Sequence, residues 1–172
     1  MKTLCNIFVL LAAMLCFMPA GASPAPNSNG ADSTGAEEGR NLKILSWNIY
    51  MLPNIVPGKE SKIERAHAIV EELKKDSFDV IVFQEAFLTE ARNIISEGLK
   101  DIYPYAYGPA NTGGFTIRAS SGVWVISKIE LTLLNTVQFK NCALNDCFAR
   151  KGAMLLEGVW HNKPFQILGT HL

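Results

Sequence analysis

Asn48, Glu85 and His171 are residue types that could do chemistry together, and each closes an apolar segment. Asn48 lies in Leu42–Tyr50 (LKILSWNIY), Glu85 follows Asp79–Phe83 (DVIVF), and His171 follows Phe165–Thr170. A carboxylate with an amide beside it suits a hard cation such as Mg²⁺. That ion uses one or two carboxylates and leaves its other positions to water and substrate phosphate. A neutral imidazole could hydrogen-bond a phosphoryl oxygen or shuttle a proton. Plainer roles are also open. Glu85 could interact with a helix N-terminus, and His171 could be an ordinary hydrogen-bonded residue at a strand end. Arg118 and Lys128 could contact phosphate or lie solvated at the surface. Trp124 and Trp160 fall in strand patterns, where packing is the default.

The elements that must position these residues follow from periodicity. In Leu42–Tyr50, Leu45, Trp47 and Ile49 point one way, and Ile44, Ser46 and Asn48 the other. This reads as a mostly buried strand whose second face turns polar. Pro53 and Pro57-Gly58 then break the chain into a loop. Ser61 with Glu64 forms a capping box. Ile63, Ala66, Val70 and Leu73 continue an amphipathic helix to about Lys75, with His67 off the apolar stripe. The β-branched run Asp79–Phe83 is typical of a strand covered on both faces. Strand, helix and strand make a βαβ unit, and ligands bind at the carboxyl edge of such sheets. A second helix fits Thr89–Leu99, with Leu88, Ala91, Ile95 and Leu99 inward, ended by Tyr103-Pro104-Tyr105. After loop-like Asn111–Ser121 come strands at Val123–Ile126, Leu131–Phe139, Ala153–Trp160 and Phe165–Thr170. His161-Asn162-Lys163-Pro164 turns between the last two. The pattern predicts an α/β protein with a mixed sheet.

The N-terminus reads differently. Lys2, an apolar run from Leu4 to Met18 and the triplet Ala20-Gly21-Ala22 match a secretory signal peptide cut after Ala22. The run is shorter than the ~20 residues that span a bilayer. Residues 23–40 are rich in Ser, Pro, Gly, Ala and Asn and read as a disordered linker. The folded part is expected to begin near Asn41. Export to a periplasm or the extracellular medium follows from the leader. Cys5 and Cys16 leave with it, so Cys142 and Cys147 remain for an oxidising compartment. Five residues apart, they are expected to close a local disulfide. Free thiols or a metal pair are the alternatives.

Composition excludes other classes. The 172 residues suit one domain. With 48% hydrophobic and 19% charged residues, the chain is not intrinsically disordered. Sixteen Lys plus Arg balance sixteen Asp plus Glu, which disfavours a strongly basic nucleic-acid binder. The chain stops at Gly169-Thr170-His171-Leu172 on an apolar strand expected near the middle of a sheet. It therefore reads as the N-terminal portion of a longer protein.

The segments SWNIYMLP, FDVIVFQEAF, SGVWVISK and GTHL, with Arg65 on the first helix, resemble the endonuclease/exonuclease/phosphatase superfamily. The match is closest to its secreted bacterial neutral sphingomyelinases. The resemblance covers about Leu42–Leu172. It implies a DNase-like, four-layer α/β/β/α sandwich with mixed sheets, of which residues 41–172 are an incomplete part. It also implies Mg²⁺-dependent phosphoester hydrolysis. Glu85 would be the metal carboxylate, Asn48 would hold metal-site hydrogen bonds and the phosphate, and His171 would contact the phosphoryl group. The implied substrate is sphingomyelin at a membrane surface, cleaved by a monomer to ceramide and phosphocholine, with no nucleic-acid partner. The family's general base is a His in a late Asp-His pair, preceded by an Asp-x-Asn motif. Neither motif occurs before Leu172, so the 172-residue chain is expected to be inactive. Alternatives are a secreted nuclease, a phosphatase on inositol lipids or soluble phosphates, and a non-enzymatic binding module.

Overall fold

The computed structural model describes residues 41–53, 56–112, 119–142 and 147–172. The expected leader and linker (1–22 and 23–40) and Arg118 lie outside the described residues. The elements are β1 (Ile44–Met51), α1 (Lys59–Leu73), β2 (Val80–Ala86), α2 (Thr89–Leu99), β3 (Tyr105–Tyr107), β4 (Trp124–Ser127), β5 (Leu131–Gln138), β6 (Gly152–Trp160) and β7 (Lys163–His171).

Parallel β1 and β2 are joined through α1, as the βαβ reading requires. β4 pairs antiparallel with β2, and β3 with β4, so the first sheet is mixed with order β1-β2-β4-β3. The antiparallel second sheet runs β5-β6-β7. One core lies between the first sheet and the helices, where Ile81, Phe83, Trp124 and Ile126 meet Ala66, Val70, Leu73, Ala91, Ile95 and Leu99. Phe83 stacks on Trp124 at 5.1 Å between ring centroids. The other core lies between the sheets, where Val80, Val82, Val123 and Val125 meet Met154, Leu156 and Ile167. β2 is thus covered on both faces, as its β-branched run predicts. Among the described residues the layers are helices, mixed sheet and antiparallel sheet.

Several expectations are corrected. α1 begins before Ser61: Gly58, at φ 92°, takes the N-cap place without a side-chain cap bond. Ser61 lies inside the first turn and its hydroxyl donates to the Gly58 carbonyl at 2.9 Å, so it forms no capping box. The inner stripe of α1 uses Lys62 and Ile69 more than Ile63. The Lys62 ammonium donates back to the Pro53 and Val56 carbonyls, which satisfies its charge under cover. Leu88 is buried as the residue preceding α2, which keeps its expected bounds. Tyr105 belongs to a strand, not merely to a helix stop. β1 is an edge strand and only half covered, with Ile44 47% exposed. Among the described residues β7 pairs with β6 alone. The β6–β7 turn needs only His161 and Asn162, both at positive φ, as in the tight turns that match strand twist. Lys163 and Pro164 already pair with β6, with Pro164 at the start of β7.

Candidate active site

β1 and β2 run side by side in register, with Asn48 opposite Gln84. Strict alternation would then send Asn48 to the Ser46 face and Glu85 to the opposite, Phe83 face. The structure breaks that alternation. Glu85 adopts φ 54°, in the left-handed region. This turn brings its carboxylate to the Asn48 side, where Asn48 Nδ2 donates to Glu85 Oε1 at 3.0 Å. Tyr50 is also left-handed, at φ 53°, and its N–H donates to Asn48 Oδ1 at 3.0 Å. The Asn48 amide is therefore fixed at both ends. The pairing register of β1 and β2 shifts between Asn48 and Met51, where the β1 bulge occurs.

His171 arrives from the other sheet. It ends β7 opposite Gly152 of β6, and its Nε2 stands 3.5 Å from Glu85 Oε1. Both side chains are mostly covered, His171 at 16% and Glu85 at 17% exposure. Two glycines permit this approach. A Cβ on Gly169 would stand 3.1 Å from Val82 and Val123 methyl carbons, so its absence lets β7 lie close to the first sheet. Gly122 is at φ 73°, and a Cβ there would strike the Phe87 ring and come within 3.2 Å of the Glu85 Cα. The Gly122 carbonyl accepts from Ala86 N–H at 2.9 Å, which anchors the chain just after Glu85.

The three expected site residues are thus brought together from three strands. Lys128 is not among them. It follows the opposite end of β4, where its ammonium donates to Ser77 Oγ and lies over the Tyr103 ring. Cys142 and Cys147 are disulfide-bonded with 5.1 Å between Cα atoms, in the connection from β5 to β6.

Glu85 Oε2 is buried and has no hydrogen-bond partner among the described residues. An ionised carboxylate oxygen in that position is costly unless a cation or a donor meets it. The Glu85 carboxylate alone offers oxygen donors that suit a hard divalent ion retaining most of its waters, since the Asn48 oxygen is turned to Tyr50 N–H. No cluster of three or more His, Cys, Asp or Glu that could hold a metal ion occurs among the described residues. Arg92 was not apparent in the sequence. Its guanidinium donates to the Ala86 carbonyl, to the Phe87 carbonyl at 2.9 Å and to Thr89 Oγ1 at 3.0 Å, and burial lowers its pKa. Beside this turn lies a cleft of about 500 Å³ lined by Pro53, Phe87, Thr89, Arg92, Pro109 and Ser120, among others.

Residues 45–164 match the model of the Endonuclease/Exonuclease/phosphatase family. The chain belongs to that family. It is 33% identical over 172 aligned positions to Sphingomyelinase C of Leptospira interrogans, which covers 90% of this chain and 30% of the relative. Among solved structures, a hairpin-deletion mutant of beta toxin from Staphylococcus aureus superposes with a TM-score of 0.65 at 25% identity. That match covers 77% of this chain and 51% of the other. A further beta toxin structure from that organism, with bound magnesium ions, is 24% identical and shows the fold alone, with a TM-score of 0.65 over 76% of this chain and 49% of the other. The chain thus spans under a third of the Leptospira relative and about half of the beta toxin chains. The α/β, DNase-like fold class expected from the sequence is the fold of these neighbours. No helix among the described residues is long and apolar enough to cross a membrane.

Proposed function

We propose that this chain supplies the Asn48–Glu85–His171 part of an Mg²⁺-dependent phosphodiesterase that cleaves sphingomyelin to ceramide and phosphocholine. The observation that carries the reading is the Asn48–Glu85–His171 cluster with the buried, unanswered Oε2 of Glu85. The match to a sphingomyelinase C at 33% identity supports the lipid substrate. In this reading Glu85 holds the ion, and Asn48 orients the Glu85 carboxylate through Nδ2. His171 Nε2 hydrogen-bonds a phosphoryl oxygen. Mg²⁺, when bound, would polarise the phosphoryl oxygens and stabilise charge on the leaving alkoxide. The covered setting of Glu85 and His171 strengthens those charge-assisted bonds.

The 172 residues contain three His, and only His171 stands at this site. No second imidazole stands beside the cluster to serve as the general base that the family resemblance implies, and in this reading the chain alone is expected to be inactive. The protein is exported, acts as a monomer at a lipid surface and takes no nucleic acid as substrate. The balance of acidic and basic residues argues against a nuclease groove.

A segment exchange tests the reading. Residues 41–172 replace the matching segment of the Leptospira enzyme, and phosphocholine release from sphingomyelin vesicles is followed with Mg²⁺. Hydrolysis is expected, with a loss of about a hundredfold or more for Glu85→Gln and for His171→Ala. A folded hybrid whose turnover ignores both substitutions would refute it. The isolated chain should release no phosphocholine above the blank.

A further inference from the structure

Arg65 and Arg92 hold equivalent places in successive strand–helix units. Arg65 lies on α1, which follows β1, and Arg92 lies on α2, which follows β2. Each strand carries a left-handed residue near its end, Tyr50 in β1 and Glu85 in β2, at φ 53° and 54°. Such a conformation is unfavourable for residues with a Cβ and persists only where its surroundings hold it. At each strand end, carbonyl groups at or just after the left-handed residue accept from a guanidinium. Arg65 Nη1 donates to the Tyr50 carbonyl at 2.9 Å, and its guanidinium lies 5.9 Å from the Tyr50 ring centroid. Arg92 donates to the Ala86 and Phe87 carbonyls, the two that follow Glu85.

We infer that Arg65 and Arg92 are positioning residues, a pair of clamps that hold the two left-handed strand ends and so keep the Asn48 amide and the Glu85 carboxylate face to face. This rests on the cation-site reading of Glu85 made above. Charge alone argues against a guanidinium so near a divalent-cation site, because like charges repel. Its rigid fork explains the choice, since one planar group can reach two carbonyls and a hydroxyl at once. Arg92 does so with the Ala86 and Phe87 carbonyls and Thr89 Oγ1. The clamps are matched in purpose but not in grip: Arg65 makes one such bond and Arg92 three.

The test uses the full chain, with Mn²⁺ as the probe ion and the side-chain amide resonances of Asn48 as a second readout. Arg92→Ala and Arg92→Lys should each weaken Mn²⁺ binding about tenfold or more, the usual cost of removing support behind a ligand. Both should shift the Asn48 resonances, and Arg65→Lys should shift them with a smaller loss of Mn²⁺ affinity. Ile95→Val is the control. It trims a buried α2 residue about one helical turn beyond Arg92 and should leave Mn²⁺ affinity within twofold. The inference is overturned if Arg92→Ala binds Mn²⁺ within twofold of the parent while Glu85→Gln abolishes binding. An equal loss in Ile95→Val also overturns it, since the effect would then be general loosening. If the parent and Glu85→Gln bind Mn²⁺ alike, the cation reading fails separately. The Asn48 resonances then decide: a shift in the Lys variants sustains the clamps, and unchanged resonances remove them.

Discussion

Ile81, Phe83, Trp124 and Ile126 of the mixed sheet face the helices, while Val80, Val82 and Val125 face the antiparallel sheet, all no more than 5% exposed. Among the described residues the antiparallel sheet buries Leu131, Met154, Leu156 and Ile167 against that partner. On its other face Val137, Val159 and Leu168 stand 50%, 58% and 64% exposed. The site follows this asymmetry. Two of its residues, Asn48 and Glu85, come from the mixed sheet, and their positions depend on strained turns that need a firm support. The less covered sheet contributes His171 and reaches the site through a close approach at Gly169.

The sharpest way to break this contrast is at Phe83, which is fully buried and stacked on Trp124. Phe83→Ala should cost about 3–5 kcal/mol of stability in a denaturant melt, through lost transfer energy and the cavity left behind. A loss under about 1 kcal/mol would mean that the doubly covered sheet is not the stabilising layer.

A middle-sized effect is expected where the sheets are tied together. Tyr107 of β3 accepts a hydrogen bond from Leu131 N–H of β5 at 2.6 Å. Tyr107→Phe leaves that donor unanswered and should cost about 1–3 kcal/mol. Burial raises the Tyr107 pKa above the ordinary phenol value. The folded state therefore holds the phenol proton more tightly than the unfolded state. Stability is fully present below pH ~10, the unfolded value, and is lost as pH rises through the higher folded value. The fall in melting temperature over that range should be smaller in Tyr107→Phe, and thermal scans at stepped alkaline pH would show it.

The smallest effect is expected on the open face. Leu168→Ser should change stability by no more than about 0.5 kcal/mol, as for other exposed positions. A larger loss would show that this face is covered in solution.

Much of this arrangement was legible in the sequence. The β-branched run before Glu85 signalled coverage on both faces, and α2 keeps its expected bounds, Thr89–Leu99. Parallel strands made the meeting of Asn48 and Glu85 foreseeable, but alternation alone would have separated them onto opposite faces. The left-handed turns that reunite them arise from through-space demands: Gly122 beneath Glu85, Arg92 on the next carbonyls and Asn48 back to Tyr50 N–H. No local pattern reports such contacts. The capping box failed for a related reason. Gly58 could take the left-handed cap place, so the helix began earlier and left Ser61 inside its first turn. Tyr105 next to Pro104 looked like a stop signal because a three-residue edge strand is too short to show a period.

A Mg²⁺ titration of the parent and Glu85→Gln, each followed by calorimetry and by the shift in melting temperature, tests the site most directly. The expected result is one Mg²⁺ per parent chain, with a melting temperature that rises with Mg²⁺ concentration as a native-state ligand requires. Glu85→Gln should lose the binding heat and the rise in melting temperature together. Equal binding by both proteins would contradict the account, because the buried Glu85 oxygen would then have no cation to meet.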